Sequence, residues 1–146
     1  MINRGENKML DVSQLKVISE QSEFDFDFIY NELKMTYWAN WRTREQIILS
    51  FSNSYAKMVF YQQKPIAFAR VITDWIAFGY LADVVVTEKF RVQGVAHLLL
   101  QNLLNDPKVA VIKKLLLVTQ DAHNLYQQFG FSAPHYPERL MEKITG

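Results

Sequence analysis

The sequence predicts an α+β domain: one mixed sheet of about six to seven strands with helices on both faces. Three observations lead there. Apolar runs of strand character follow one another from Lys57 to Val86 with only short turn signals between them, the pattern of antiparallel hairpins. The last of these runs feeds a helical pattern and then another apolar run, and such a β-α-β unit needs a parallel, right-handed crossover. Helical patterns also precede the hairpins, so helices are available for both sides of the sheet.

The elements follow in order. Leu15–Glu20 alternates apolar and polar residues, as an edge or half-buried strand does. Asp25–Trp38 carries Phe28, Ile29, Leu33 and Trp38 at helical spacing. Thr43 with Gln46 three residues on makes a capping box, which starts a second helix running to about Ser52. Lys57–Gln62 is a strand closed by a Gln-Lys-Pro turn, and Ile66–Thr73 is a strand broken at Asp74-Trp75. Ala77–Val86 is long and apolar, so it reads as buried on both faces. A helix from about Gly94 to Asn105 is stopped by Asp106-Pro107. Lys114–Thr119 is the next buried strand. Asp121–Phe129 is a helix, with Asp121 at the positive end of its dipole and Gly130 just past its end. Arg139–Ile144 is a last short strand.

A chain of 146 residues fits one domain, expected over 12–146 behind a polar, mobile tail at 1–11. It has no cysteine, which excludes a disulfide framework, a thiolate nucleophile and a thiolate zinc site. The net charge of +1 gives no footprint for nucleic acid. No apolar run is long enough for a membrane helix and no signal peptide is visible, so the expectation is a cytoplasmic protein without membrane or nucleic-acid partners. The two motif-region histidines, His97 and His123, each stand alone, so no metal site is expected.

The stretch from Asp83 to Leu99 carries the chemistry. An apolar strand ends in Val84-Val85-Val86, turns, and enters a helix through Arg91-Val92-Gln93-Gly94-Val95-Ala96. The first N–H groups of that helix lack partners within it, and with the helix dipole they form an anion site. Gly94 and Ala96 let a phosphate approach the backbone, and Arg91 adds positive charge. The Gly-Lys-Ser/Thr ending of a P-loop is absent, as is GxGxxG. By itself this spacing also fits an ordinary strand-to-helix turn with a capping glycine.

Arg91-x-x-Gly94-x-Ala96 after an apolar strand resembles the Gln/Arg-x-x-Gly-x-Gly/Ala signature of the GNAT superfamily of N-acetyltransferases. About thirty residues on, Asn124-Leu125-Tyr126-Gln127-Gln128-Phe129-Gly130-Phe131 resembles the second half of that family's binding site. The resemblance spans roughly Leu15 to Ile144. It implies acetyl-CoA as cofactor, held in a V-shaped opening between the strand ending at Val86 and the strand Lys114–Thr119. The pantetheine arm would pair with the backbone of Val84–Val86, and the pyrophosphate would sit on the amides from Arg91 to Ala96. Tyr126 would be the general acid for the coenzyme A thiolate, with Asn124 turned to the cofactor.

The same resemblance implies that an amine is acetylated by direct attack in a ternary complex. Attack needs a neutral amine. Asp83 and Asp74 are the candidate bases, Asp83 with a pKa raised by apolar surroundings; either could instead bind an ammonium, and for Asp83 a structural hydrogen-bonding role is an equal alternative. Trp38, Arg42, Arg70 and His123 are the acceptor-side candidates, the arginines as possible clamps for a substrate carboxylate. A small-molecule amine is the expected partner. A peptide or protein acceptor, or a non-catalytic acyl-CoA-binding regulatory module, are the alternatives, and the chain would be a monomer or homodimer.

Overall fold

The computed structural model describes residues 10–146. Most of the expected mobile tail therefore lies outside the described residues, but Leu10 packs on the core. Five strands form one sheet in the order β1-β2-β3-β4-β5. These are β1 (Leu15–Ile18), β2 (Tyr55–Tyr61), β3 (Lys64–Thr73), β4 (Gly79–Val86) and β5 (Leu115–Leu116). The first three pairings are antiparallel and β4–β5 is parallel. Helices α1 (Phe26–Leu33) and α2 (Arg44–Ser52) cover one face. On the other face lie α3 (Val95–Leu104) and the short α4 (Pro107–Ala110), while α5 (His123–Gln127) packs beside them.

Strand alternation divides the core in two. Val59, Ala67, Ala69 and Val71 point toward Leu99, Leu100 and Leu103 of α3. Met58 and Phe68 point the other way, onto Ile29, Leu33, Ile47 and Phe51 of α1 and α2. Each large apolar side chain fully buried here contributes about 1.5–3 kcal/mol. Phe51 lies edge-on to Phe68, their centroids 6.0 Å apart. The Thr43–Gln46 capping box starts α2 as expected.

β4 holds a bulge. Phe68 pairs with Val85 and Arg70 with Ala82, so Asp83 and Val84 together face Ala69. Asp83 takes φ 53°, the left-handed conformation that aspartate tolerates better than most side chains. The extra residue reverses the strand's alternation. Leu81 packs against the α3 side, but so do Val84 and Val86, and Val85 points to α1. Buried and half-buried residues alternate along β4, so it is not buried on both faces as its composition predicts.

The sheet has five strands rather than six or seven. Lys114–Thr119 contributes only Leu115 and Leu116, because β5 pairs with Gly79 and Tyr80 and then diverges from β4. Arg139–Ile144 is irregular rather than a strand. Pro134 precedes and Pro137 opens a 3-10 turn at Pro137–Arg139, where the Arg139 guanidinium lies 3.8 Å from the Tyr136 ring centroid. Met141 and Ile144 then stay exposed, with no neighbouring strand to cover them. α1 ends at Leu33, before Trp38, with Thr36 donating its hydroxyl to the Leu33 carbonyl. The β2–β3 turn sits at Gln62-Gln63, both with positive φ, and Lys64 and Pro65 already belong to β3. Asp121 lies outside α5, whose N-cap is Ala122.

Candidate active site

The divergence of β5 leaves the β4 edge at Val84–Val86 without a strand partner on that side. Beyond Val86 a 3-10 turn, Glu88–Phe90, leads to Arg91, which donates from Nε to the Val86 carbonyl at 3.0 Å. Val92 is in the left-handed region, and Gln93 donates to the Lys89 carbonyl. Gly94 follows at φ 81° as the N-cap of α3, where no side chain accepts from the first amides of the helix. Those N–H groups are therefore left for a ligand, at the positive end of a ten-residue helix. A Cβ added at Gly94 would meet nothing within 4 Å, so the space in front of these amides is open.

Tyr126 on α5 faces the same opening. Val84–Val86, Arg91, Gly94–Ala96 and Tyr126 all line one cleft of about 920 Å³. Burial raises the Tyr126 pKa above its ordinary 10.0, and the nearby Asp121 carboxylate raises it further. The phenol is thus a proton donor throughout the neutral range. Phe131, just past the left-handed Gly130, lies against its ring. A second cleft of about 1020 Å³ lies between α3, α4, β5 and the segment 128–140, and it lacks both the β4 edge and Tyr126.

Three of the expected acceptor-side residues converge on Asp83. Its side chain is 2% exposed. Arg42 donates to both oxygens, at 2.9 and 2.6 Å. Arg70, beside it on β3, donates from Nε at 2.7 Å and from Nη1 to Ser54. Trp38 donates its indole N–H at 3.0 Å. The bulge makes this possible, turning Asp83 toward the α1–α2 face, where Arg70 also points.

This arrangement corrects the expectation for Asp83. Burial pushes its carboxyl up, but the hydrogen bonds and charges of Arg42 and Arg70 outweigh burial and hold it below the ordinary carboxylate value. A carboxylate so held is a poor base. The two guanidinium groups are engaged in the same cluster and do not line the cleft, so they are not free clamps for a substrate carboxylate.

Asp74 is corrected as well. It is exposed in the β3–β4 turn, where Oδ1 accepts from the amides of Ile76, Ala77 and Phe78. Those bonds hold its pKa low. It lies at the opposite end of β4 from Val86, roughly 20 Å away at the rise of a strand. His123 and Asn124 are exposed on α5 and do not line the cleft, whereas Trp38 does.

A buried carboxylate of the cleft is absent from the expected site residues. Glu32, on α1, is 9% exposed and accepts from the Thr87 hydroxyl through Oε1 at 2.7 Å. It lines the cleft with Met35, Thr36 and Trp38. A glutamate on an amphipathic helix reads as a solvent-facing residue. Its only sequence signal is its position in the turn preceding the Tyr37-Trp38 pair.

Comparison with known proteins agrees with this geometry. The family model of the acetyltransferase (GNAT) family matches residues 15–131. A GNAT-family protein from Xanthomonas campestris pv. campestris is 31% identical, with a TM-score of 0.86 over 90% of this chain and 93% of that one. A GNAT family acetyltransferase from Elizabethkingia anophelis, solved with acetyl-CoA bound, is 18% identical. Its TM-score is 0.65, over 91% of this chain and 89% of that one. No curated protein matches the sequence. With the splayed strands, the uncapped helix start at Gly94 and the family match over most of its length, the chain belongs to the GNAT family of acetyltransferases, acyltransferases that use acetyl-CoA.

Proposed function

We propose that the protein transfers the acetyl group of acetyl-CoA to a primary amine of a small molecule, by direct attack in a ternary complex. The unpaired β4 edge, the uncapped amides of α3 and the protonated Tyr126 all open on one cleft, and this convergence carries the assignment. Acetyl-CoA supplies the acetyl group as a thioester. The backbone of Val84–Val86 holds the pantetheine arm as a neighbouring strand would. The amides from Arg91 through Val92, Gln93, Gly94 and Val95 to Ala96 take the pyrophosphate. Tyr126 gives its proton to the departing sulfur. With no cysteine in the chain, an acyl-cysteine relay is excluded. The E. anophelis protein of the same fold, with acetyl-CoA bound, supports the choice of cofactor.

Trp38 is the acceptor-side residue that reaches the cleft, and an indole suits the stem of an alkyl or aryl amine. Calorimetric titration with acetyl-CoA tests the cofactor assignment. The unmutated protein binds at micromolar concentrations, while Gly94→Glu, which fills the open space with a negative side chain in a strained conformation, does not. Equal binding by both would remove the helix start from the site. Coenzyme A release on addition of primary amines then tests the reaction, and no release with any amine would favour a regulatory acyl-CoA-binding module.

A further inference from the structure

We infer that Glu32 is the carboxylate that receives the ammonium group of the acceptor and takes its proton, so that the acceptor is a cationic primary amine. This rests on the acetyltransferase function proposed above. Direct attack requires an unprotonated amine, yet an alkyl ammonium with a pKa near about 10 is almost wholly protonated at neutral pH. A base is therefore needed. Asp83 is neutralised by two arginines, and Asp74 sits in a turn at the far end of the sheet.

Glu32 has the geometry that those two lack. It lines the same cleft as Val84–Val86 and Tyr126. Thr87, the residue that follows β4, fixes one of its oxygens. Oε2 has no protein partner among the described residues, and no enclosed side-chain oxygen or nitrogen among them is left unsatisfied. Oε2 is therefore open to solvent, on a residue that lines the cleft. No described lysine or arginine forms an ion pair with Glu32, unlike Asp83. Trp38, whose indole is anchored on Asp83, lines the same cleft, and an indole suits a cation or its apolar stem. The other titratable groups on the cleft are Glu88, Arg91, His97, Asp121 and Tyr126.

The proton balance is complete with these residues. Oε2 of Glu32 takes one proton from the ammonium and frees the nitrogen lone pair. The nitrogen bonds to the acetyl carbonyl carbon, and the C–S bond breaks with its electron pair going to sulfur. Sulfur takes the Tyr126 proton. The nitrogen loses a second proton as the amide forms, which restores the phenol through solvent, and Glu32 releases its own proton to solvent.

Glu32→Gln tests this with little disturbance, because the glutamine carbonyl still accepts from Thr87. The probes are 1,4-diaminobutane, 2-phenylethylamine and a short lysine-containing peptide, with coenzyme A release followed from pH 6 to pH 9. Calorimetry with acetyl-CoA serves as the control for folding and cofactor binding. At pH 7 the variant should lose roughly 10²-fold or more in kcat/KM, as loss of a general base does. The deficit should shrink about tenfold per pH unit, because the fraction of free amine in solution rises by that factor below its pKa. Groups common to both proteins, His97 included, cancel in the ratio. A deficit that stays constant with pH, an unchanged rate, or acetylation of none of the probes by an acetyl-CoA-binding wild type would each overturn the assignment. Failure of the wild type to bind acetyl-CoA would overturn the acetyltransferase proposal itself.

Discussion

Replacing Asp83 by asparagine should cost more than any other isosteric change in this chain. The carboxylate receives four hydrogen bonds, from Trp38, from both terminal nitrogens of Arg42 and from Arg70. An asparagine can accept at one position only, and its amide N–H₂ would face a guanidinium. Two cations then remain almost enclosed, their side chains 10% and 9% exposed. Breaking a buried ion pair by removing one partner costs about 3–5 kcal/mol, a large share of a total stability of about 5–15 kcal/mol. For a domain of this size that is a fall in Tm of roughly 10 °C. Asparagine keeps the left-handed backbone at little cost, whereas Asp83→Ala should lose about 1 kcal/mol more. Urea unfolding at pH 7 measures both. Made in an Arg42→Met background, the asparagine change should cost distinctly less, because one of the stranded cations is gone. The sign with pH is also set. The folded pKa lies below the unfolded value, so the stabilisation is complete above about pH 4 and is lost as pH falls through the depressed folded value. Asp83→Asn should flatten that acid limb. A cost under about 1 kcal/mol, or strict additivity with Arg42→Met, would refute the view that this carboxylate holds two buried charges.

Tyr126→Phe should bind acetyl-CoA as the wild type does and lose about 10²-fold in kcat, and Asp121→Asn should move the basic limb of kcat to lower pH by removing the charge that raises the phenol. Gly79→Ala should cost about 1–3 kcal/mol by urea unfolding, since its Cβ would stand 2.5 Å from Leu115 Cδ2 and 3.1 Å from Val71 Cγ1. Leu115→Ala should cost less in that variant than in the wild type. Asp106, bonded to Tyr55 and to Lys57 Nζ at 3.0 Å, has a pKa lowered to about 2, so its stabilisation is full above the ordinary 3.8 and fades toward pH 2. Asp106→Asn should remove that dependence and cost on the order of 1 kcal/mol at pH 7, because Asn102 still accepts from Lys57.

What could be read from the sequence was what neighbouring residues decide between themselves. Thr43 and Gln46 cap a helix by local hydrogen bonds, Gly94 and Gly130 take left-handed turns, and the alternation of β2 and β3 follows from their own side chains. The uncapped helix start proposed as the cofactor cradle was legible for the same reason, since it is backbone. Interactions across the fold were not. Asp83 sits among valines in sequence, and its partner Arg42 lies 41 residues away. Glu32 meets Thr87 across 55 residues. The bulge at Asp83 carries no glycine to announce it. At the C-terminus the apolar spacing of Leu140 and Ile144 resembled a strand, but β5 separates from β4 after two residues and gives such a strand no place in the described sheet.

The bulge also sets how β4 can tolerate length changes. Deleting Asp83 would remove a carboxylate but leave the pairing intact, because Asp83 is the residue the ladder has in excess: Ala82 would still face Arg70, Val84 would face Ala69 alone, and Val85 would still face Phe68. Val84 and Val86 would stay on the α3 side and Val85 on the α1 side, so the backbone edge that faces the opening would keep its present order of N–H and C=O groups. A relative that lacks the extra residue should therefore keep the edge that faces the opening in the same register, and what it would lose is the carboxylate that gathers Trp38, Arg42 and Arg70.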